Sequence, residues 1–168
     1  MYYIEDTIYL KEIAQEKLYN ETSYADDKKV IAKLFEEIEK DSSTKGTSDM
    51  DQKVQKILNK FLGAARSFGL YDQEQRFGYV SFANYDSDTP EIQIEITDKY
   101  QKRGIGYKSL SFLIEKLFYE REDIQYFLYR VRADNVASLK LIEKLGGQLI
   151  ETGQFIDKII KRYHIFKK

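Results

Sequence analysis

Ile96-Thr97-Asp98-Lys99-Tyr100-Gln101-Lys102-Arg103-Gly104-Ile105-Gly106-Tyr107 is the stretch on which the reading of this chain turns. The six residues that end at Ile96, Glu91-Ile92-Gln93-Ile94-Glu95-Ile96, alternate polar and apolar with period two, as a strand does. After the turn, Leu110, Leu113, Ile114, Leu117 and Phe118 recur at helical spacing and predict a helix over about 105–119. A strand therefore runs through two close glycines into a helix. The first N–H groups of such a helix have no acceptor within it, and the helix dipole adds partial positive charge at that end. Glycines let a phosphate approach the backbone without a Cβ in the way. Lys102 and Arg103 add full charges. In physical terms this is a cradle for a pyrophosphate.

An ordinary tight strand-to-helix turn would also hold a Gly-x-Gly pair. A dinucleotide-binding turn would need a third glycine where Ser109 stands. It would also need an acid at the end of the next strand, which instead reads Tyr129-Arg130-Val131-Arg132. No Gly-Lys-Ser/Thr follows, which excludes a Walker loop.

Outward from the turn, the period-two pattern continues. Residues 67–71 and 76–84 read as strands joined by Asp72-Gln73-Glu74, and 85–90 is a second turn. Downstream, 125–131 is a strand. Asn135 is a helix cap, Leu139, Ile142 and Leu145 form an inward stripe, and Gly146 ends the helix. Residues 148–152 and 159–166 close as strands. Residues 8–63 read as helical and charged, with Ile31, Leu34, Phe35 and Ile38, then Val54, Ile57, Leu58, Phe61 and Leu62, at helical spacing around a polar loop at 40–51. The expected fold is α/β: a central twisted mixed sheet, mainly antiparallel, parallel around the glycine turn, with flanking helices.

Two blocks make the pattern specific. Gln101-x-x-Gly104-x-Gly106 resembles the Gln/Arg-x-x-Gly-x-Gly/Ala signature of the GNAT superfamily of N-acetyltransferases, and Glu91–Gly106 is most similar to the branch that acetylates N-terminal amines of ribosomal proteins. Further on, Val131-Arg132-Ala133-Asp134-Asn135-Val136-Ala137-Ser138 and Leu141-Ile142-Glu143-Lys144-Leu145-Gly146 resemble the family's Asn-x-x-Ser/Ala helix ending in Lys-Leu-Gly. The resemblance covers roughly 67–166. It implies a single acyltransferase domain over 1–168, with 1–63 a mostly helical segment on the acceptor side, and acetyl-CoA as co-substrate without a metal. It implies that the backbone of Gln101, Lys102, Arg103, Gly104, Ile105, Gly106 and Tyr107 holds the CoA pyrophosphate. Ile94, Glu95 and Ile96 would pair with the pantetheine amides, and Asn135 and Ser138 would touch the cofactor arm. Asn135 is equally a plain helix cap, and Ser138 an ordinary small residue of a first turn.

Direct attack of an amine on a thioester needs no protein nucleophile, and positioning supplies much of the rate. Backbone N–H groups on the central strand can polarise the carbonyl. A strand covered on both faces should be nearly continuously apolar, yet Glu91, Gln93 and Glu95 share one face of this one. Either that face meets water or it lines a polar cleft. Glu95, then Glu91, are the candidate catalytic bases. The family's usual thiolate-protonating Tyr is replaced by Ile142, the aromatic after the helix-ending glycine by Gly147, and a frequent Pro by Asp98. The proton donor would then be another Tyr, such as Tyr107, or water. Tyr126, Phe127 and Tyr129 read as packing residues rather than a platform for bases.

Composition sets the outer limits. A chain of 168 residues, 42% hydrophobic and 33% charged, can bury one core. A net charge of −1 offers no global field for nucleic acid. Without cysteine there is no disulfide and no thiolate chemistry, and one histidine, His164, makes a His triad or His-rich metal site unexpected. The first residues lack a basic start and an apolar run, so no signal peptide is expected, nor a membrane partner, and the setting is read as cytoplasmic. The expected acceptor is a small amine or a protein N-terminal amine, and the reading is compatible with a homodimer. The alternative is a catalytically weak or inactive CoA-binding regulatory module; a nucleotide-binding Rossmann-like module would instead prefer NAD to CoA.

Overall fold

The computed structural model describes residues 1–14 and 64–168. Eight strands form one sheet: β1 Tyr2–Tyr3, β2 Ile8–Ile13, β3 Arg66–Asp72, β4 Gln75–Ala83, β5 Glu91–Ile96, β6 Tyr126–Arg132, β7 Gln148–Phe155 and β8 Lys158–Phe166, in the order β1-β2-β3-β4-β5-β6-β8-β7. The described α-helices are α1, Ile105–Glu120, and α2, Val136–Lys144. Every neighbouring pair is antiparallel except β5 with β6. A parallel pair requires a crossover, and α1 is the crossover. The mixed, mainly antiparallel sheet expected from the sequence is the one observed.

The helical reading fails at 8–13, which is strand β2. Ile8 and Leu10 are buried while Lys11 and Glu12 are exposed, and the strand pairs with β3 along its whole length, from Ile8 with Asp72 to Ile13 with Ser67. Six residues are too few to separate period two from period 3.6, so the long-range partner decides. The helices and loop expected over 15–63 lie outside the described residues.

One face of the sheet carries the core. Phe68, Val80, Phe82, Ile92 and Phe127 pack there against the inward stripe of α1, Ile105, Leu110, Leu113, Ile114, Leu117 and Phe118. Phe127 stands at the centre, with ring centroids 5.1 Å from Phe82 and 4.6 Å from Phe118. Burying side chains of this size contributes about 1.5–3 kcal/mol each, so this contact carries much of the stability and holds β5 and β6 beneath the helix. On the opposite face the same strands present Ser67, Ser81, Glu91, Gln93 and Glu95, and the Ser67 and Ser81 hydroxyls share a hydrogen bond of 2.8 Å. Strand β7 forms the far edge of the sheet with all its residues exposed, Leu149, Ile150 and Phe155 among them.

Candidate active site

The glycine turn has the geometry that an anion cradle needs. Lys102 (φ 59°) and Gly104 (φ 76°) both lie in the left-handed region, which strains a residue other than glycine. Gly104 stands at the N-cap of α1 with open space around the place a Cβ would take. No side chain caps the helix, and its first turn holds no acidic residue. The first intrahelical bond is from Lys108 N–H to the Gly104 carbonyl, at 3.1 Å. The N–H groups of Ile105, Gly106 and Tyr107 therefore begin the helix without an acceptor inside it. Gln101 to Gly104 are exposed, whereas Ile105 is buried and pins the helix start to the core.

Two side chains fix the turn to the sheet. Gln101 donates to the Ile96 carbonyl at 2.7 Å and to Asp98 Oδ1 at 3.1 Å, closing the turn on itself. Tyr100, buried at the end of a short 3-10 turn over Asp98–Tyr100, stacks on Phe77 at 3.9 Å and donates its hydroxyl to Asp72 at 2.9 Å. Arg103 lies over the outer face of the same ring at 5.3 Å. A hydrogen bond from Thr7, then that from Tyr100, holds the Asp72 carboxyl below its usual range. Tyr100 was not among the residues singled out in the sequence; its only signal there was its place inside the turn.

Beside this turn the sheet opens. Strands β5 and β6 pair at only two positions, Glu91 with Leu128 and Ile92 with Tyr129. Above Ile92 they part. Strands alternate their hydrogen bonds between neighbours, and Thr97 N–H donates to Phe77 of the β4 side, so the backbone of Ile92, Ile94 and Ile96 is the set aimed at β6. Ile94 thus presents strand-edge backbone to a gap, and Ile96 does so by its N–H, since its carbonyl accepts from Gln101; the Glu95 backbone, expected beside them, is turned to β4 instead. From Ile96 to the closed end at Ile92 the gap runs about 13 Å, at ~3.3 Å per residue. Helix α1 lies close to this strand: a Cβ on Gly106 would stand in van der Waals contact with the Ile96, Ile94 and Leu141 side chains, at 3.4–3.5 Å. A slot edged by β5 backbone that β6 does not pair, ending at an uncapped helix start with two cations beside it, fits an extended amide-bearing arm with a pyrophosphate at one end. Acetyl-CoA has that form: it would be held by Ile94, Ile96 and the 101–107 backbone, and would supply the activated acetyl group.

Both candidate bases lie on the face of β5 away from α1. Glu95 is half-buried, opposite Tyr79 of β4. Gly78 lets the strands close here, since a Cβ on it would meet the Glu95 carbonyl at 2.4 Å. Glu91 is engaged differently. Arg130 donates to both of its carboxylate oxygens, at 2.9 and 2.7 Å.

Helix α2 faces the same slot from the β6 side. The Asn135 side chain accepts from Ser138 N–H at 3.1 Å, so the cap expected from the sequence is present. The Ser138 hydroxyl bonds to the hydroxyl of buried Tyr129. Ile142, where the family's Tyr is usual, is fully buried in the core. A Cβ at Gly147 would lie 2.7 Å from Ile142 Cγ1 and 2.9 Å from its carbonyl. The two departures thus meet in space: the side chain and the backbone carbonyl of Ile142 both occupy the place next to residue 147. Tyr107 lies in the first turn of α1 with Lys144 Nζ 4.3 Å from its ring centre, at the phosphate end of the slot. Among the described residues no cluster of His, Cys, Asp and Glu can hold a metal ion, and no helix is long and apolar enough to cross a membrane.

The model of the acetyltransferase (GNAT) domain matches residues 16–148. The chain belongs to the GNAT acetyltransferase family. This acetyltransferase domain begins well upstream of residue 67, where the recognisable motifs begin, so the family likeness takes in most of the first third of the chain. As a member, the protein is an acetyl-CoA-dependent N-acetyltransferase. The acetyltransferase has no match among curated proteins by sequence. Among solved structures it is similar to a ribosomal L7/L12 alpha-N-protein acetyltransferase, at 19% identity over 97% of this chain and 95% of the other, TM-score 0.60. A spermidine N-acetyltransferase from Vibrio cholerae, in complex with CoA and spermine, matches at 18% identity over 95% of each chain, TM-score 0.64. An acetyl transferase from Salmonella typhimurium that modifies the N-terminal serine of ribosomal protein L7/L12 matches at 18% identity over 98% of each, TM-score 0.62. At such identities these similarities speak for the fold, and the fold is the expected one.

Proposed function

We propose that this acetyltransferase moves the acetyl group of acetyl-CoA to a primary amine by direct attack in a ternary complex. The observation that carries the reading is the slot between β5 and β6, opening beside the uncapped start of α1. In it, Ile94 and Ile96 would pair with the cofactor amides and the 101–107 backbone would take the pyrophosphate, with Asn135 and Ser138 against the arm. Glu95 is favoured as base, through water, as the β5 carboxylate set between Ile94 and Ile96, with Glu91 second. We place the acceptor on the carboxylate face of β5, with 1–63 as the segment that shapes its site within a single domain over 1–168.

The acceptor we favour is an α-amine, above all a protein N-terminus. At neutral pH about one part in ten of an α-amine is neutral, against about one in a thousand for a lysine side chain. A site with one carboxylate base and no family Tyr is better matched to the smaller deficit. Glu91–Gly106 also resembles the branch that modifies N-terminal amines, and two of the structures it matches bear such names. Spermidine is the main rival, since carboxylates attract a polycation. Release of free thiol from acetyl-CoA, measured with an N-terminal peptide, a blocked peptide holding one lysine, and spermidine, decides among them; preferential modification of the blocked lysine peptide would sink the choice. The buried Ile142 in place of the family Tyr favours the second reading, a CoA-binding module with little turnover. Tight CoA binding with no thiol release across the panel would establish it. A homodimer belongs to the reading because β7, an edge strand with Leu149, Ile150 and Phe155 exposed, invites a partner; sedimentation reads it directly.

A further inference from the structure

The departing sulfur needs a proton, and neither Ile142 nor Tyr107 is placed to supply it. One other phenol stands at the closed end of the slot. Tyr129 is the β6 partner of Ile92, the last rung before β5 and β6 separate. Its ring lies on the helix side of the sheet, 4% exposed, next to buried Tyr163 of β8. Its hydroxyl meets that of Ser138 in the first turn of α2. Packing does not explain the oxygen: Phe would fill the same volume, and a buried hydroxyl is unfavourable unless it is bonded. The slot length matters too. With phosphates at 104–106, an arm laid along the free edge of β5 ends at the Ile92–Tyr129 rung, about four residues below Ile96.

We propose that Tyr129 is the proton donor to the leaving thiolate and that Ser138 orients its hydroxyl; this rests on the acetyl-transfer reading above. The amine nitrogen forms the new C–N bond with the acetyl carbon. The C–S bond breaks and its electron pair stays on sulfur. The Tyr129 hydroxyl proton passes to that sulfur and yields the free thiol. The proton shed by the amine nitrogen passes through water to Glu95 and on to solvent, while the phenolate regains a proton from solvent by way of Ser138. Burial pushes the Tyr129 phenol up, partly offset by the Ser138 bond, so the donor stays loaded at neutral pH.

Tyr129→Phe and Ser138→Ala test this, each titrated calorimetrically with CoA and with desulfo-CoA, and each assayed for turnover. If Tyr129 touches sulfur, the wild-type chain binds CoA about fivefold more tightly than desulfo-CoA, and Tyr129→Phe loses that preference. Its kcat falls about a hundredfold while the KM for acetyl-CoA stays near wild type. Ser138→Ala shows the same pattern more weakly and keeps the assignment testable should Tyr129→Phe fold poorly. Wild-type turnover in Tyr129→Phe, or an unchanged preference for CoA in both variants, overturns the assignment and leaves acetyl transfer standing. A wild-type chain that binds neither CoA nor acetyl-CoA overturns both.

Discussion

The two helices that flank the slot begin in opposite ways. Helix α2 starts at Asn135, whose side chain bonds the Ser138 N–H, and its need for acceptors is met from within. Helix α1 starts at Gly104 in a left-handed conformation, with no side-chain cap and no acid in its first turn. A cap contributes about 1 kcal/mol, so its omission from the longer helix is a loss of stability that packing must offset. The offset is visible: Ile105 is buried at once, and Tyr100 ties the turn to Phe77 and Asp72. A helix start held by its surroundings and left without acceptors suits an anion, which is why the proposed reading puts the pyrophosphate there.

Breaking the open start has the largest expected effect. Gly104→Glu adds a side chain at left-handed φ and a negative charge beside the phosphate position, and CoA affinity should fall at least about a hundredfold. The chain should still fold, because nothing lies within 4 Å of the added Cβ. Titration of CoA, with a melting curve alongside, reads both; unchanged affinity would place the pyrophosphate elsewhere. Next comes a variant that leaves both helix starts intact. Glu95→Gln should lower kcat about a hundredfold with acetyl-CoA affinity preserved, since it removes a base and keeps the shape. Wild-type turnover across the pH–rate profile would mean that the polar face of β5 is only solvated.

Weakening the support of the open start is subtler. Tyr100→Phe keeps the stack on Phe77 and deletes the bond to Asp72, worth about 1 kcal/mol. CoA affinity should drop about threefold, with the acceptor KM unmoved; a larger loss of stability than of affinity would make Tyr100 a fold residue alone. The closed start gives the smallest change in binding. Asn135→Ala removes about 1 kcal/mol of capping and should lower the melting temperature by about 2–4 °C. Should Asn135→Ala instead cost as much CoA affinity as Gly104→Glu, its side chain serves the cofactor before it serves the helix.

Much of this was legible because the signals were local. The alternation of Glu91–Ile96, the glycines at 104 and 106, the stripe of α1 and the cap at Asn135 each depend on neighbours within a few residues, and each element stands where it was expected. Residues 8–13 were misread because their partner, β3, lies more than fifty positions away in the chain. Tyr129 was read as packing for the same reason. Its ring does pack, but the oxygen acquires a partner only when β6 and α2 are folded together.

Sequence alone thus reaches the order of the elements from β3 to β8 and the conformation of the turn between β5 and α1. Period, glycine and capping act over one or two turns of chain and do not wait for the rest of the fold. The tertiary structure alone decided that β5 and β6 part after Ile92, that Arg130 occupies Glu91 while Glu95 sits opposite Tyr79, and that Ile142 and Gly147 share one space. These are distances between strands and helices far apart in sequence, set by how the core around Phe127 packs, and no local pattern encodes them.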